Sequence, residues 1–107
     1  MSFSLDDLVQ IIRARRASDA EASYTKSLFD GGPPKIAKKF GEEAVETVIA
    51  ALESDKTALT KEAADTLYHL LVLLEARGVT LAEVLDELRH RTAQSGHDEK
   101  SSRRGSP

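Results

Sequence analysis

Apolar residues recur with a helical period along nearly the whole chain, and no run of strand length alternates with period two. That pattern predicts an all-α fold, and the residues between the periodic segments count its helices. Ser4 with Asp7 is a relaxed capping box, opening a helix with Leu5, Leu8, Val9 and Ile12 on one side. The pattern lapses after Arg16, over residues 17–22. Ser23 caps a short second helix through Phe29, which Gly31 and Gly32 stop. Pro33 and Pro34 restart the chain, since proline suits a first helical turn. A long amphipathic helix then runs from Lys35 to about Glu53, with Ala37, Gly41, Val45, Val48, Ile49 and Leu52 on its apolar face. Ser54 and Asp55 end it and cap a fourth helix over Lys56 to Ala76, with Gly78 as a left-handed stop. Thr80 with Glu83 is a second capping box, opening a last helix of Leu81, Val84, Leu85 and Leu88. The composition after Thr92 buries no face. The expected organisation is a four-to-five-helix bundle over residues 1–92 and a disordered tail over 93–107.

The 107 residues suit one domain. Having no cysteine, the chain has no disulfide framework, thiolate nucleophile or Cys-ligated metal. The longest aliphatic run, Leu70 to Leu74, is far short of the roughly 20 residues that span a bilayer. The first seven residues lack the basic-then-apolar pattern of a signal peptide, so the expected location is the cytoplasm and no membrane partner is expected. A net charge of −3 argues against nucleic-acid binding by bulk charge but leaves room for a small phosphate-bearing ligand. The fourth helix, around Leu67, Tyr68 and Leu70 to Leu74, is apolar on nearly every side and must be covered on nearly every side. That points to a homodimer; the alternative is that the first two helices wrap it within one chain.

Two acidic clusters carry the chemistry: Glu42, Glu43 and Glu46, then Glu62 and Asp65. Residues three apart share a helix face, so Glu43 projects with Glu46 and Glu62 with Asp65. The short turn at Ser54 and Asp55 makes the two helices antiparallel neighbours. Glu46 lies about eight residues before that turn and Glu62 about seven after it, so at ~1.5 Å per residue the pairs sit at nearly one height. Converging carboxylates repel unless a cation neutralises them. An all-oxygen set favours a hard ion, Mg²⁺ or Mn²⁺, and suits phosphoryl or pyrophosphoryl chemistry. The alternative is an ordinary solvated acidic face.

Lys35, Lys38 and Lys39 precede the first acidic cluster, either to receive phosphate near a helix start or simply to offset the acids beside them. Lys39 and Glu43 are spaced as an i,i+4 pair. His69 shares a stripe with Glu62 and Asp65, as an outer partner of the acids, a substrate contact, a proton donor or a hydrogen-bonded core residue. His90 and His97 read as surface and tail residues without a role. Tyr24 and Thr25 either reach a ligand or pack.

The run Ser23-Tyr24-Thr25, Leu28, the glycine pair and Lys35 through Glu46, followed by Glu62 through Leu74, resembles the phosphoribosyl-ATP pyrophosphohydrolases over about residues 5 to 92. The Glu-Glu-x-x-Glu and Glu-x-x-Asp pattern alone resembles the broader MazG-like all-α nucleotide pyrophosphohydrolases. The Ser-Tyr-Thr element, the lysines and Tyr68-His69 narrow it to the histidine-biosynthesis family.

The resemblance implies hydrolysis of phosphoribosyl-ATP to phosphoribosyl-AMP and pyrophosphate with Mg²⁺, in a dimer whose sites form near the interface. It implies Glu43, Glu46, Glu62 and Asp65 as metal ligands and Glu42, Glu43 and Glu46 as the catalytic acids, Glu42 as ligand, outer partner or base. Lys35, Lys38, Lys39, Tyr24, Thr25 and His69 are then candidates for the substrate. The competing readings are a house-cleaning (d)NTP pyrophosphohydrolase of the same superfamily and a non-catalytic helical dimerisation module.

Overall fold

The computed structural model describes residues 2–18 and 23–93, and these form five helices and no strand: α1 (Leu5–Arg16), α2 (Tyr24–Gly31), α3 (Pro33–Leu52), α4 (Lys56–Ala76) and α5 (Leu81–Thr92). The expected irregular stretch overlaps residues 19–22, and the expected tail residues 94–107; both lie outside the described residues.

Local chemistry sets most boundaries. At the start of α1 both halves of the capping box form: the Ser4 hydroxyl accepts from the Asp7 N–H, and Asp7 accepts from the Ser4 N–H. Ser23 and Asp55 cap α2 and α4 by accepting from the N–H groups of Lys26 and Ala58. Gly32, at φ 82°, separates α2 from α3. It leaves α2 two residues longer than its expected end at Phe29 and lets α3 begin on the prolines rather than at Lys35. Gly78, at φ 73°, ends α4 in a Schellman arrangement, with Val79 N–H donating to Leu74 O and Gly78 N–H to Glu75 O.

The core is small. Val9 and Ile12 from α1, Leu28 from α2, Ile36 from α3, and Leu71 and Val72 from α4 form one buried cluster, bordered by Leu8, Phe29, Tyr68 and Leu73. Burying a side chain of this size contributes roughly 1.5–3 kcal/mol. The α3–α4 hairpin is the broadest packed surface, and α1 and α2 cover one side of it.

The expected apolar face of α3 is not the face that packs. Its buried positions are Ile36, Glu43 and Ala50, seven apart and hence on one stripe, whereas Val45, Val48, Ile49 and Leu52 are half or more exposed and Ala37 and Gly41 are exposed. The reason is geometric. The stripe toward α4 is set by the antiparallel hairpin, and the richest apolar stripe lies to one side of it. On α4, α1 and α2 shield Leu71 and Val72 but leave Leu67 exposed, and α5 buries no residue. Glu62 is half-buried and Asp65 exposed, so these acids sit at the hairpin's edge rather than on a fully covered helix.

Candidate active site

The α3–α4 hairpin brings the acidic clusters together. Carboxylate oxygens of Glu43, Glu62 and Asp65 all lie within 4.8 Å of one another. The register is held one turn along by Thr47 and Thr66, whose hydroxyls meet at 2.7 Å. Thr47 Oγ1 also lies 3.0 Å from Glu43 O and Thr66 Oγ1 2.9 Å from Glu62 O, tying each hydroxyl to the backbone of a clustered acid.

Glu43 is the innermost member, its side chain only 9% exposed. Lys39 Nζ lies 3.6 Å from Glu43 Oε1, while Oε2 is buried without a hydrogen-bond partner among the described residues. A buried carboxylate oxygen left unpaired is costly, and a cation is the partner that two further carboxylates at this distance would also accept. Three oxygen donors without nitrogen or sulfur fit a hard divalent ion. The residues present therefore fit a metal, with Glu43, Glu62 and Asp65 as the group that could hold it.

Glu46 stands outside that triplet but beside Glu62. A hydrogen bond that the Glu62 carboxyl donates to Glu46, then burial, then repulsion from Glu46, Glu43 and Asp65 hold the Glu62 carboxyl above its ordinary value of 4.5. A bound divalent cation would offset that repulsion. Glu42 is exposed and turns to the lysine side, 4.0 Å from Lys39 Nζ. Lys39 is held above 10.5 chiefly by Tyr24, against a smaller opposing effect of burial, with Glu43 and Glu42 adding to the rise.

Two cavities flank the acids. One, of about 620 Å³, is lined by Asp65, Tyr68 and His69 of α4, by Ser23, Tyr24 and Thr25, and by Arg15 and Ser18. The other, of about 290 Å³, is lined by Tyr24, Leu28, Glu42 and the three lysines Lys35, Lys38 and Lys39. Tyr24 belongs to both walls. Lys39 thus both offsets the acids and faces a cavity.

His69 is 4% exposed, with Nδ1 2.7 Å from Asp65 O and Nε2 2.8 Å from Tyr24 Oη. A carbonyl only accepts, so Nδ1 carries the proton, and in the neutral ring Nε2 accepts from the Tyr24 hydroxyl. Burial raises the Tyr24 pKa above 10.0 against the lowering effect of Lys39, so the phenol keeps this proton at neutral pH. Thr25 is buried and hydrogen-bonds Tyr68 Oη, which also accepts from Arg15 at 3.0 Å. His90 lies exposed on α5, and His97 falls outside the described residues.

Glu43, Glu62 and Asp65 thus form the acid cluster, Glu46 stands beside Glu62, and Glu42, Lys35, Lys38, Lys39, Tyr24, Thr25 and His69 line a flanking cavity. Arg15 and the Tyr68 hydroxyl were missed as a pair because 53 residues separate them. The Thr47–Thr66 bond was missed because a threonine within a helix has no pattern that announces a partner on another helix.

The sequence matches the family described as Phosphoribosyl-ATP pyrophosphohydrolase over residues 5–92. It is 59% identical over 103 residues to a phosphoribosyl-ATP pyrophosphatase of Azorhizobium caulinodans, covering 96% of this chain and 94% of that protein. A phosphoribosyl-ATP pyrophosphatase of Methylobacterium nodulans is 55% identical over 96% of each chain. Phosphoribosyl-ATP pyrophosphatase 1 of Rhodopseudomonas palustris is 57% identical over 95% of each.

Proposed function

Because the chain belongs to the phosphoribosyl-ATP pyrophosphohydrolase family, we propose that it hydrolyses the α–β phosphoanhydride of phosphoribosyl-ATP, giving phosphoribosyl-AMP and pyrophosphate in histidine biosynthesis. The observation that carries the reading to this chain's own residues is the buried, unpartnered Oε2 of Glu43 among converging carboxylates.

Glu43, Glu62 and Asp65, with Glu46 against Glu62, are the residues to hold Mg²⁺ or Mn²⁺. When bound, such an ion supplies neutralisation of the charge that develops on departing pyrophosphate. The rest falls to side chains. Glu42 and Glu46, outside the triplet, are the acids placed to orient the attacking water and take its proton, and Glu43 completes the catalytic set. Lys35, Lys38 and Lys39 offer cationic contacts to phosphate along one cavity. Tyr24 and Thr25 present polar groups to the other cavity, and His69 fixes Tyr24 through its Nε2. With its O–H directed at His69 in a hydrogen bond, the Tyr24 oxygen has lone pairs left for a substrate hydroxyl.

A second copy of the chain is proposed to cover the exposed apolar residues Val45, Val48, Ile49 and Leu52 of α3, Leu67 of α4, and Leu85 and Leu88 of α5. A stripe of this kind marks an interaction surface. Among the described residues no helix is long and apolar enough to cross a membrane, which suits a biosynthetic enzyme of the cytoplasm.

The test is pyrophosphate release from phosphoribosyl-ATP beside a panel of NTPs and dNTPs, with and without Mg²⁺. Metal-dependent release from phosphoribosyl-ATP, at least about a hundredfold above the panel, is the expected result. Comparable release from free dNTPs would assign the house-cleaning reaction instead. No release from any of them would leave a non-catalytic dimerisation module.

A further inference from the structure

Three arginines crowd the last turn of α1, and each ends differently. Arg13 Nε meets Glu75 Oε1 at 2.9 Å. Arg16 lies over the Phe29 ring, 4.5 Å from its centroid, and donates to Glu75 O at 3.4 Å. Arg15 turns to the larger cavity, where its one side-chain hydrogen bond among the described residues goes to the neutral Tyr68 hydroxyl. A favourable interaction of α1's C-terminus with positive charge would explain three arginines there. It does not explain why one of them, with no ion pair among the described residues, lines a cavity.

The wall next to Arg15 is rich in donors. Tyr68 Oη and Thr25 Oγ1 share a hydrogen bond that uses one of their two protons. Tyr68 Oη already accepts from Arg15, so the other hydroxyl proton of the pair is uncommitted among the described residues, as are most of the five guanidinium N–H groups. Among the described residues that line the cavity, the one carboxylate is Asp65, which also belongs to the acid cluster. A ligand filling it therefore has one end at the reacting phosphates and the other against a guanidinium and hydroxyls, the donor set that suits a phosphate.

We propose that Arg15, backed by Tyr68 and Thr25, binds the phosphomonoester of the substrate's phosphoribosyl group and so distinguishes this substrate from free nucleoside triphosphates. The assignment rests on the proposed reaction, because that substrate carries a second, monoester phosphate remote from its triphosphate, and ATP carries none. The lysine-lined cavity on the other side of Tyr24 leaves a separate cationic wall for the polyphosphate.

The experiment compares wild type, Arg15→Ala and Arg15→Lys for turnover of phosphoribosyl-ATP, and for inhibition of that turnover by ATP, a probe with the triphosphate but no monoester. Arg15→Ala should raise KM for phosphoribosyl-ATP about 10- to 100-fold, change kcat less than about threefold, and leave the inhibition constant for ATP within about twofold. Arg15→Lys should recover part of the loss, because it keeps the charge without the planar fork. A parallel rise in the ATP constant would show that Arg15 only supports the general shape of the site, and overturn the proposal. An unchanged KM would also overturn it, leaving the proposed reaction intact. Wild type that turns over no phosphoribosyl-ATP would overturn both.

Discussion

Replacing Glu43 by glutamine keeps the shape of the side chain and removes its charge, with opposite expected effects in the absence and presence of Mg²⁺. In the metal-free protein the carboxylates of Glu43, Glu62 and Asp65 lie within 4.8 Å. Like charges at that separation repel by about 1 kcal/mol per pair with water-like screening and about 3 with protein-like screening. Asp65 is exposed and Glu62 half-exposed, which favours the lower figure. Against this relief stands the loss of the Lys39 contact at 3.6 Å, which solvent screening keeps weak. The metal-free variant should therefore be as stable as wild type or more stable by about 1 kcal/mol, a melting rise of roughly 4–8 °C for a domain this small. With metal that advantage is cancelled or reversed. A site with a Kd of about 1 mM stabilises wild type by about 1.4 kcal/mol in ~10 mM Mg²⁺, roughly 6–11 °C. The variant, missing its innermost ligand, should show less than a third of that. Melting followed by circular dichroism at fixed protein concentration, with EDTA or Mg²⁺, reads both signs, and pyrophosphate release should fall at least about a hundredfold. A variant that melts well below wild type in EDTA, or that keeps the full Mg²⁺ response, would refute the reasoning.

The raised Glu62 pKa makes metal and proton competitors. Its contribution to metal-free stability is fully present below the ordinary value of 4.5 and is lost as pH rises through the higher folded-state value. Titrating downward from neutrality should thus weaken Mg²⁺ binding before the fold is lost, and calorimetry in buffers of different ionisation enthalpy should detect proton release on binding. Thr47→Val should cost about 1 kcal/mol in urea melts and should not add independently to Thr66→Val, since the two share one bond; full additivity would discount the clasp. Val48→Asp places a charge in the middle of the exposed α3 stripe and should halve the mass seen by light scattering while the far-ultraviolet spectrum stays helical. An unchanged mass would remove this stripe from the proposed subunit interface.

Helix number and most helix ends were legible because they follow from neighbours in sequence: a cap three residues ahead, a glycine at positive φ, a proline in a first turn. The clustering of Glu43, Glu62 and Asp65 was legible for a related reason, since rise per residue and a short turn fix relative height in an antiparallel hairpin. Which stripe of α3 faces α4 was not legible. Val48 and Ile49 are more apolar than Glu43, yet Glu43 is inside and they are not, because rotation about the helix axis is settled by all the contacts of the hairpin together. The sequence by itself determined an all-helical chain with a carboxylate set at one level. Only the tertiary structure decided that one oxygen of Glu43 would be buried without a partner, that Thr47 and Thr66 would hold the register, and that Arg15 would share a cavity with Asp65. Those outcomes depend on side chains far apart in the chain, and local periodicity carries no information about them.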